Sequence, residues 1–143
     1  MKILYHFTAN QLIERVRREG LTRGIFPHHI DEQSGKVICI GGYQWLTRES
    51  SFEQPWALLG QLPLSKTGWR ITVAIPDERL RSLAHWPTLC ARHNPQCADA
   101  FNAIPGSSDW FVFKGRIPPA WFMATERNLG DTMKPDILNG NEL

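Results

Sequence analysis

The segment LYHFTANQLIERVRREGLTRG, from Leu4 to Gly24, constrains the fold of this chain more than any other stretch. It begins within an apolar strand, KILYHF. Thr8 then fits a helix N-cap because Gln11 stands three residues later, as in a capping box. An apolar stripe with helical spacing follows, and Gly20 suits the residue just after a helix C-terminus. The stripe consists of Leu12, Ile13 and Val16. The sequence therefore predicts a strand followed at once by a short helix.

Two polar side chains in this segment are not explained by packing. His6 lies near the end of the strand, two residues before the predicted cap, and Arg23 follows the helix. A histidine at a strand end is more often a structural residue than a catalytic one, and Arg23 also fits a solvated loop. Packing alone requires neither side chain at its position, so both are candidates for a site.

The rest of the chain contains further strand patterns. Residues 69–76, WRITVAIP, alternate apolar and polar side chains, which is typical of a half-buried strand. Residues 37–47, VICIGGYQWLT, have the composition of one strand that is interrupted at Gly41-Gly42. A last strong strand pattern begins at Asp109, in DWFVFKGRIPP, and ends at the two prolines.

Between these strands we predict a polar loop over residues 22–36, a short helix after Pro76 and another short helix near residues 97–103. From Thr125 onward the chain is polar, so we expect a peripheral tail over residues 125–143. Strands outnumber helices, and their spacing is too irregular for successive βαβ units. The sequence predicts an α+β fold with a mainly antiparallel, twisted sheet, in one domain over residues 1–143.

Composition narrows the function classes. The net charge is only +2 over 143 residues, so charge alone does not imply nucleic-acid binding. No apolar run reaches the roughly 18 residues of a membrane span and no secretory segment follows Met1, which predicts a cytoplasmic protein with free thiols and no membrane partner. The segment CARHNPQC groups Cys90, His93 and Cys97, but its spacing is not that of a zinc site, so we predict no metal.

Three segments taken in order, YHFT, GGYQWLT and SDWFVFKGRIPP, resemble the ADP-ribosyltransferase fold. The resemblance is nearest to the branch that carries a histidine on the first strand, which includes toxins that modify DNA bases and the RNA 2′-phosphotransferases. It implies two small, twisted, mainly antiparallel sheets around a cleft, with short helices. It also implies that NAD is a substrate and that ADP-ribose is transferred to a macromolecular acceptor.

The resemblance gives roles to residues on the first strand and after the first helix. His6 would hydrogen-bond the ribose hydroxyls on the nicotinamide side of NAD, with Thr8 as the small hydroxyl residue beside it. Arg23 would bind the phosphates of the cofactor. Thr8 also has a complete structural explanation as a helix cap, and the two roles are compatible.

The later strands receive roles in the same way. Either Tyr43 or Trp45 would stack on the nicotinamide while the other packs in the core, and Thr47 would supply a hydroxyl group. Asp109 stands where the family has its catalytic glutamate. This is a departure from the family pattern, because the aspartate side chain is one methylene shorter. A turn cap after Gly106 is the alternative explanation for Asp109.

These residue types fit cleavage of the glycosidic bond to nicotinamide, which creates an oxocarbenium-like centre. A nearby carboxylate stabilises that positive charge, an aromatic face supports the cationic leaving group, and an arginine neutralises the pyrophosphate. Glu49 and Glu53, in the loop after Thr47, are candidates for a group that acts on the acceptor, although a solvated loop charge is the commoner explanation for Glu53.

Two other functions remain open. With its glutamate replaced, the same fold can serve as a catalytically inactive binding protein for nucleic acid or for a partner protein. A 2′-phosphotransferase acting on RNA needs further basic residues, for which Arg70 and Arg116 join Arg23 as candidates. The acceptor of an ADP-ribose transfer (DNA, RNA or protein), the oligomeric state and the context, as a toxin, a phage counter-defence factor or a modifier of a host enzyme, also stay open.

Overall fold

The computed structural model describes residues 1–58, 66–93, 95 and 98–130. In this part of the chain the fold is mixed α+β, as the sequence predicts. The strands are β1 (Lys2–Thr8), β2 (Ile25–Ile30), β3 (Val37–Gly41), β4 (Tyr43–Thr47), β5 (Trp69–Ile75), β6 (Leu83–His85), β7 (Trp110–Lys114) and β8 (Phe122–Arg127). The α-helices are α1 (Ile13–Glu19), α2 (Trp86–His93) and α3 (Ala98–Asn102), and 3₁₀ helices cover Pro55–Leu58, Asp77–Ser82, Ser107–Asp109 and Pro119–Trp121.

The main sheet has the strand order β6-β7-β4-β1-β5-β8, and all its neighbouring strands are antiparallel. β1 pairs with β5 over its whole length, from Lys2 to Thr8. Its other neighbour, β4, is paired with it only at Tyr5 and Thr47. The two strands therefore separate beyond that pair, and the centre of the sheet is split between β1 and β4.

Adjacent residues on the strands enter two different hydrophobic clusters, one on each face of the sheet. On β4 and β7, Leu46 and Phe113 join the cluster that packs against α1, whereas Trp45 and Val112 join the cluster around Trp86 of α2. This alternation follows from the two-residue period of a strand. The predicted half-buried strand obeys the same rule, since Ile71, Val73 and Ile75 of β5 are fully buried.

The prediction of a loop over residues 22–36 is wrong, because β2 lies there and pairs with β3 in a two-stranded sheet. Pro27 and the polar pair His28-His29 give this segment the composition of a loop, and it forms a strand through its pairing with β3. Four apolar side chains of the hairpin are exposed: Ile25, Val37, Ile38 and Ile40. The single strand predicted over residues 37–47 is in fact two strands. Gly42, with a φ of 87°, turns the chain between β3 and β4, and glycine adopts that conformation readily.

The prediction that Thr8 caps the first helix is also wrong. Thr8 is the buried last residue of β1 and pairs with Trp69, so sheet pairing extends the strand past the predicted cap. α1 begins only at Ile13, and no side chain caps its N-terminus. Gly20 does follow the helix as predicted, with a φ of 83°.

The remaining predictions have mixed outcomes. The helix near residues 97–103 is confirmed as α3. The sequence did not predict α2, because it contains Pro87, and proline usually ends a helix; here it lies in the first turn, where proline is tolerated. The helix after Pro76 is a 3₁₀ helix that leads into β6. The tail does not begin at Thr125, because β8 continues to Arg127 along β5. Residues 131–143 of the predicted tail lie outside the described residues.

Candidate functional site

Two cavities meet at the split between β1 and β4, and His6 and Trp45 line both of them. The larger, here called the aromatic cavity, has a volume of about 340 Å³ and includes three tryptophans in its wall: Trp45, Trp56 and Trp110. The smaller, here called the polar cavity because it holds the arginines, has a volume of about 180 Å³. Apolar side chains of Leu12, Val16 and Leu21 line it together with polar ones: Arg15, Arg23, Thr8, Thr22 and Gln44. The split thus places an almost wholly apolar compartment beside a mixed one that carries two arginines.

His6 bridges the split. Its Nδ1 lies 2.8 Å from the backbone oxygen of Trp45, on the strand from which β1 has separated. A carbonyl oxygen only accepts, so this bond places a proton on Nδ1. Burial lowers the pKa of His6 from its ordinary value of 6.5, and the bond to Trp45 offsets that effect only in part. The imidazole is therefore neutral near pH 7, with Nε2 as a hydrogen-bond acceptor.

This pKa has a consequence for stability. Because the pKa of His6 is lower in the folded than in the unfolded chain, the unfolded chain binds a proton first as the pH falls. The contribution of His6 to the free energy of unfolding is therefore fully present above about pH 6.5. Below that pH it decreases, by at most about 1.4 kcal/mol per pH unit. We expect the free energy of unfolding, measured with urea between pH 5 and pH 8, to fall more steeply on acidification for the wild type than for His6→Gln. Equal slopes would contradict this assignment.

Trp45 is held firmly in the wall of both cavities. Its indole N–H donates to the backbone oxygen of Ile25 at 2.8 Å, and its ring lies edge-on to Trp86 and Trp110, with centroids 4.8 and 5.7 Å away. Tyr43 lies on the same face of β4 but stacks on Phe26, with the ring centroids 4.6 Å apart, and lines neither cavity. Of the two candidate aromatics, the structure brings Trp45 to the site and Tyr43 to a core cluster.

The polar cavity contains a residue that the sequence reasoning missed. Thr8 and Arg23 line it as expected, and so does Arg15 of α1. Arg23 lies 3.7 Å from Glu19, whereas Arg15 has no ion pair within the described part of the chain. Arg15 lies within the segment that predicts α1, and the sequence gives it no role in a site. The sequence does contain a pattern that points to Arg15. It lies three residues after Leu12, a spacing that puts two side chains on the same side of a helix, and both residues line the polar cavity.

Asp109 is placed differently from the expectation. It immediately precedes β7, and the next residue, Trp110, lines the aromatic cavity, but Asp109 itself lines neither cavity. Its Oδ1 accepts from Nε of Arg48 at 2.6 Å, and its backbone oxygen accepts from the Arg48 N–H. Thr47 does line the aromatic cavity, and its hydroxyl oxygen accepts from the N–H of Glu49 at 3.1 Å. The expected carboxylate is thus ion-paired beside the site.

The other charged candidates lie apart from the two cavities. Arg70 donates to the backbone oxygen of Ser50 and to Glu126, and its guanidinium lies over the ring of Phe52. It therefore does not join Arg23, and the candidates for a 2′-phosphotransferase, Arg23, Arg70 and Arg116, are not assembled in either cavity. Arg116, Glu49 and Glu53 are exposed.

No known protein-family model matches this chain, and no curated protein sequence matches it. Within residues 1–58, 66–93, 95 and 98–130, none of the helices has the length and apolar character needed to cross a membrane. The same residues contain no cluster of three or more histidine, cysteine or acidic side chains that could hold a metal ion. Cys97 and the His93 side chain, which belong to the CARHNPQC segment, lie outside the described residues.

Proposed function

We propose that the chain binds NAD across the two cavities and transfers its ADP-ribose to a macromolecular acceptor. The observation that carries this proposal is the position of His6, which lines both compartments at the split of the sheet. A second observation supports it. The three segments that resemble the ADP-ribosyltransferases lie on neighbouring strands, in the order β7-β4-β1, although they are distant in sequence.

The aromatic cavity suits the nicotinamide end of the dinucleotide. Its wall is mainly apolar and carries the indoles of Trp45, Trp56 and Trp110. A flat, positively charged ring is attracted to the face of an indole, and a volume of about 340 Å³ falls within the usual range of small-molecule sites. Nicotinamide in NAD has both properties, because the ring is planar and carries a formal positive charge until the glycosidic bond breaks.

The polar cavity suits the phosphates. Arg15 and Arg23 line it from two chain segments, one on α1 and one after it. Guanidinium groups bind phosphate oxygens through paired N–H donors, and Arg15 has no competing ion pair among the described residues. The hydroxyls of Thr8 and Thr22 add neutral donors. The pyrophosphate of NAD would lie here, one ribose away from the nicotinamide.

His6 would hold that ribose. Its Nδ1–H is engaged by Trp45, so the neutral ring offers Nε2 to a hydroxyl donor. A ribose hydroxyl at the junction of the cavities could donate to it. This bond would fix the sugar relative to the nicotinamide, and such orientation raises the rate because the entropy of alignment is lost on binding and not in the reaction.

One observation favours a second candidate function, a binding protein on the same scaffold. Cleavage of the nicotinamide bond benefits from a carboxylate near the ribose, but among the described residues no aspartate or glutamate lines either cavity. In an enzyme, the carboxylate of Asp109 would have to leave Arg48 and bind the ribose. In a binding protein, the pair between Asp109 and Arg48 would stay intact, and NAD would be bound without reaction.

Titration with NAD separates these functions. We expect the fluorescence of the cavity tryptophans to be quenched by NAD in a saturable way, and nicotinamide to be released, measured by chromatography, when DNA, RNA or a protein mixture supplies the acceptor. Saturable quenching with no release under any condition would support the binding protein. Absence of binding up to about 1 mM NAD, a Kd that corresponds to only about 4 kcal/mol, would overturn both.

Asp109→Glu provides the comparison for the carboxylate. The longer side chain is expected to increase nicotinamide release if the carboxylate acts on the ribose. An increase in release supports the transferase. A change in thermal stability without any change in release would leave Asp109 as the partner of Arg48 only.

A further inference from the structure

Two buried glutamines each hold one loop that forms a wall of one cavity. Gln44 is 3% exposed and Gln54 is 6% exposed. Both amides are used at both ends, as donor and as acceptor, within the described residues. A buried amide whose nitrogen and oxygen are both hydrogen-bonded fixes the relative positions of the groups it binds. Breaking any one of these bonds would leave a buried polar group without a partner.

Gln44 fixes the chain that carries Arg23. Its Oε1 accepts from the N–H of Gly24 at 3.0 Å, and its Nε2 donates to the backbone oxygen of Gly115 at 3.1 Å. Gly24 is the residue next to Arg23. The amide thus ties the turn after α1 to β4, which bears Gln44, and to the end of β7.

The contact at Gly24 is unusually close. A Cβ atom at this position would lie 1.8 Å from the backbone oxygen of Tyr43 and 2.9 Å from Oε1 of Gln44. Only glycine lets the two backbones approach in this way. The turn therefore rests directly on β4, and Gln44 is the side chain that holds it there. Arg23 and Gln44 both line the polar cavity.

Gln54 fixes the loop that carries Trp56. Its Nε2 donates to the backbone oxygens of Ser51 and Glu49, and its Oε1 accepts from the indole N–H of Trp56 at 2.9 Å. Trp56 lines the aromatic cavity and also lies edge-on to Phe7 of β1. Gln54 does not line the aromatic cavity itself.

We propose that Gln44 is the positioning residue of an anion half-site and Gln54 the positioning residue of a separate aromatic half-site. Gln44 would set the affinity for phosphate through Arg23, and Gln54 would set the affinity for a planar ring through Trp56. This inference deepens the proposed function and rests on it for the identity of the ligand, but it makes its own prediction. The two halves of the site can be weakened independently.

The test uses one probe for each half and the same substitution on each side. Gln44→Met and Gln54→Met both keep the side-chain length and remove the amide. Inorganic pyrophosphate and nicotinamide, each added alone, are titrated into the full chain and followed by NMR shifts. We expect Gln44→Met to raise the Kd for pyrophosphate about tenfold and to leave the Kd for nicotinamide within about twofold. For Gln54→Met the same changes are expected with the two probes exchanged.

The melting temperature of each variant is also measured, because a general loss of stability would weaken the binding of both pyrophosphate and nicotinamide. Equal weakening of both probes by both variants, or no weakening by either, would overturn the inference, and so would absence of binding of either probe to the wild type. Where a methionine variant does not fold, Gln44→Asn or Gln54→Asn, one methylene shorter with the amide retained, gives the same comparison. This outcome can be told apart from that of the NAD titration. If the wild type releases nicotinamide from NAD but the two glutamine variants bind both probes as the wild type does, only this inference is overturned and the proposed function stands.

Discussion

Replacing Trp86 by alanine is expected to lower the free energy of unfolding by about 3–5 kcal/mol. Trp86 is completely buried, and its ring lies edge-on to Phe26, Trp45 and Phe101, with centroids 4.8 to 5.6 Å away. It thereby joins the β2–β3 hairpin, the main sheet and α3. Removal of the indole would leave a cavity at the point where these elements meet. Equilibrium unfolding in urea would give the change directly.

Trp86→Phe is the matched control. The indole N–H of Trp86 is buried and has no hydrogen-bond partner among the described residues, so its removal costs no hydrogen bond. We expect this variant to lose less than half as much stability as the alanine variant. If Trp86→Ala cost less than about 1 kcal/mol, the ring would not be the packing centre of this cluster.

Replacing His6 by alanine is expected to reduce NAD-dependent nicotinamide release at least about 100-fold. The substitution removes one of the two side chains that line both cavities and breaks the bond between Nδ1 and Trp45. The Trp45 carbonyl would also lose its partner across the split, at a cost of about 1–2 kcal/mol of stability. Release would be measured by chromatography together with NAD affinity by fluorescence.

His28→Ala is the control, because His28 is exposed on the β2–β3 hairpin and lines neither cavity. It should leave both release and affinity unchanged. Thermal melting of both variants separates a lost site from a lost fold. If a folded His6→Ala protein released nicotinamide at the wild-type rate, His6 would have no part in the site and the proposed use of the split would fail.

Local sequence patterns predicted the strands and helices that have one clearly apolar face. The alternation in Trp69–Ile75 predicted β5, and the apolar stripe at Ile13 and Val16 predicted the buried side of α1. The patterns failed where burial is weak or conflicts with local rules. β2 contains Pro27 and the polar pair His28-His29, so its composition is that of a loop, and it forms a strand through its pairing with β3.

The candidate site divides in the same way. His6, Arg23 and the pair Tyr43 and Trp45 were candidates from residue type and from the resemblance. The structure brings His6, Arg23 and Trp45 to the cavities and places Tyr43 in a core cluster. Asp109 was chosen by the same reasoning, and its ion pair with Arg48 was not foreseeable. Arg48 and Asp109 are distant in sequence and meet only because β4 and β7 pair.

The sequence by itself determined the α+β class, the first strand with its histidine, and the residue types available for the candidate site. Only the tertiary structure decided that β1 and β4 separate, that Arg15 and Trp56 line the cavities, and that Gln44 and Gln54 hold the walls. The physical reason is that local patterns record which face of an element is buried. A cavity depends on which distant faces meet, and here that depends on backbone pairing and close contacts such as Gly24 against Tyr43.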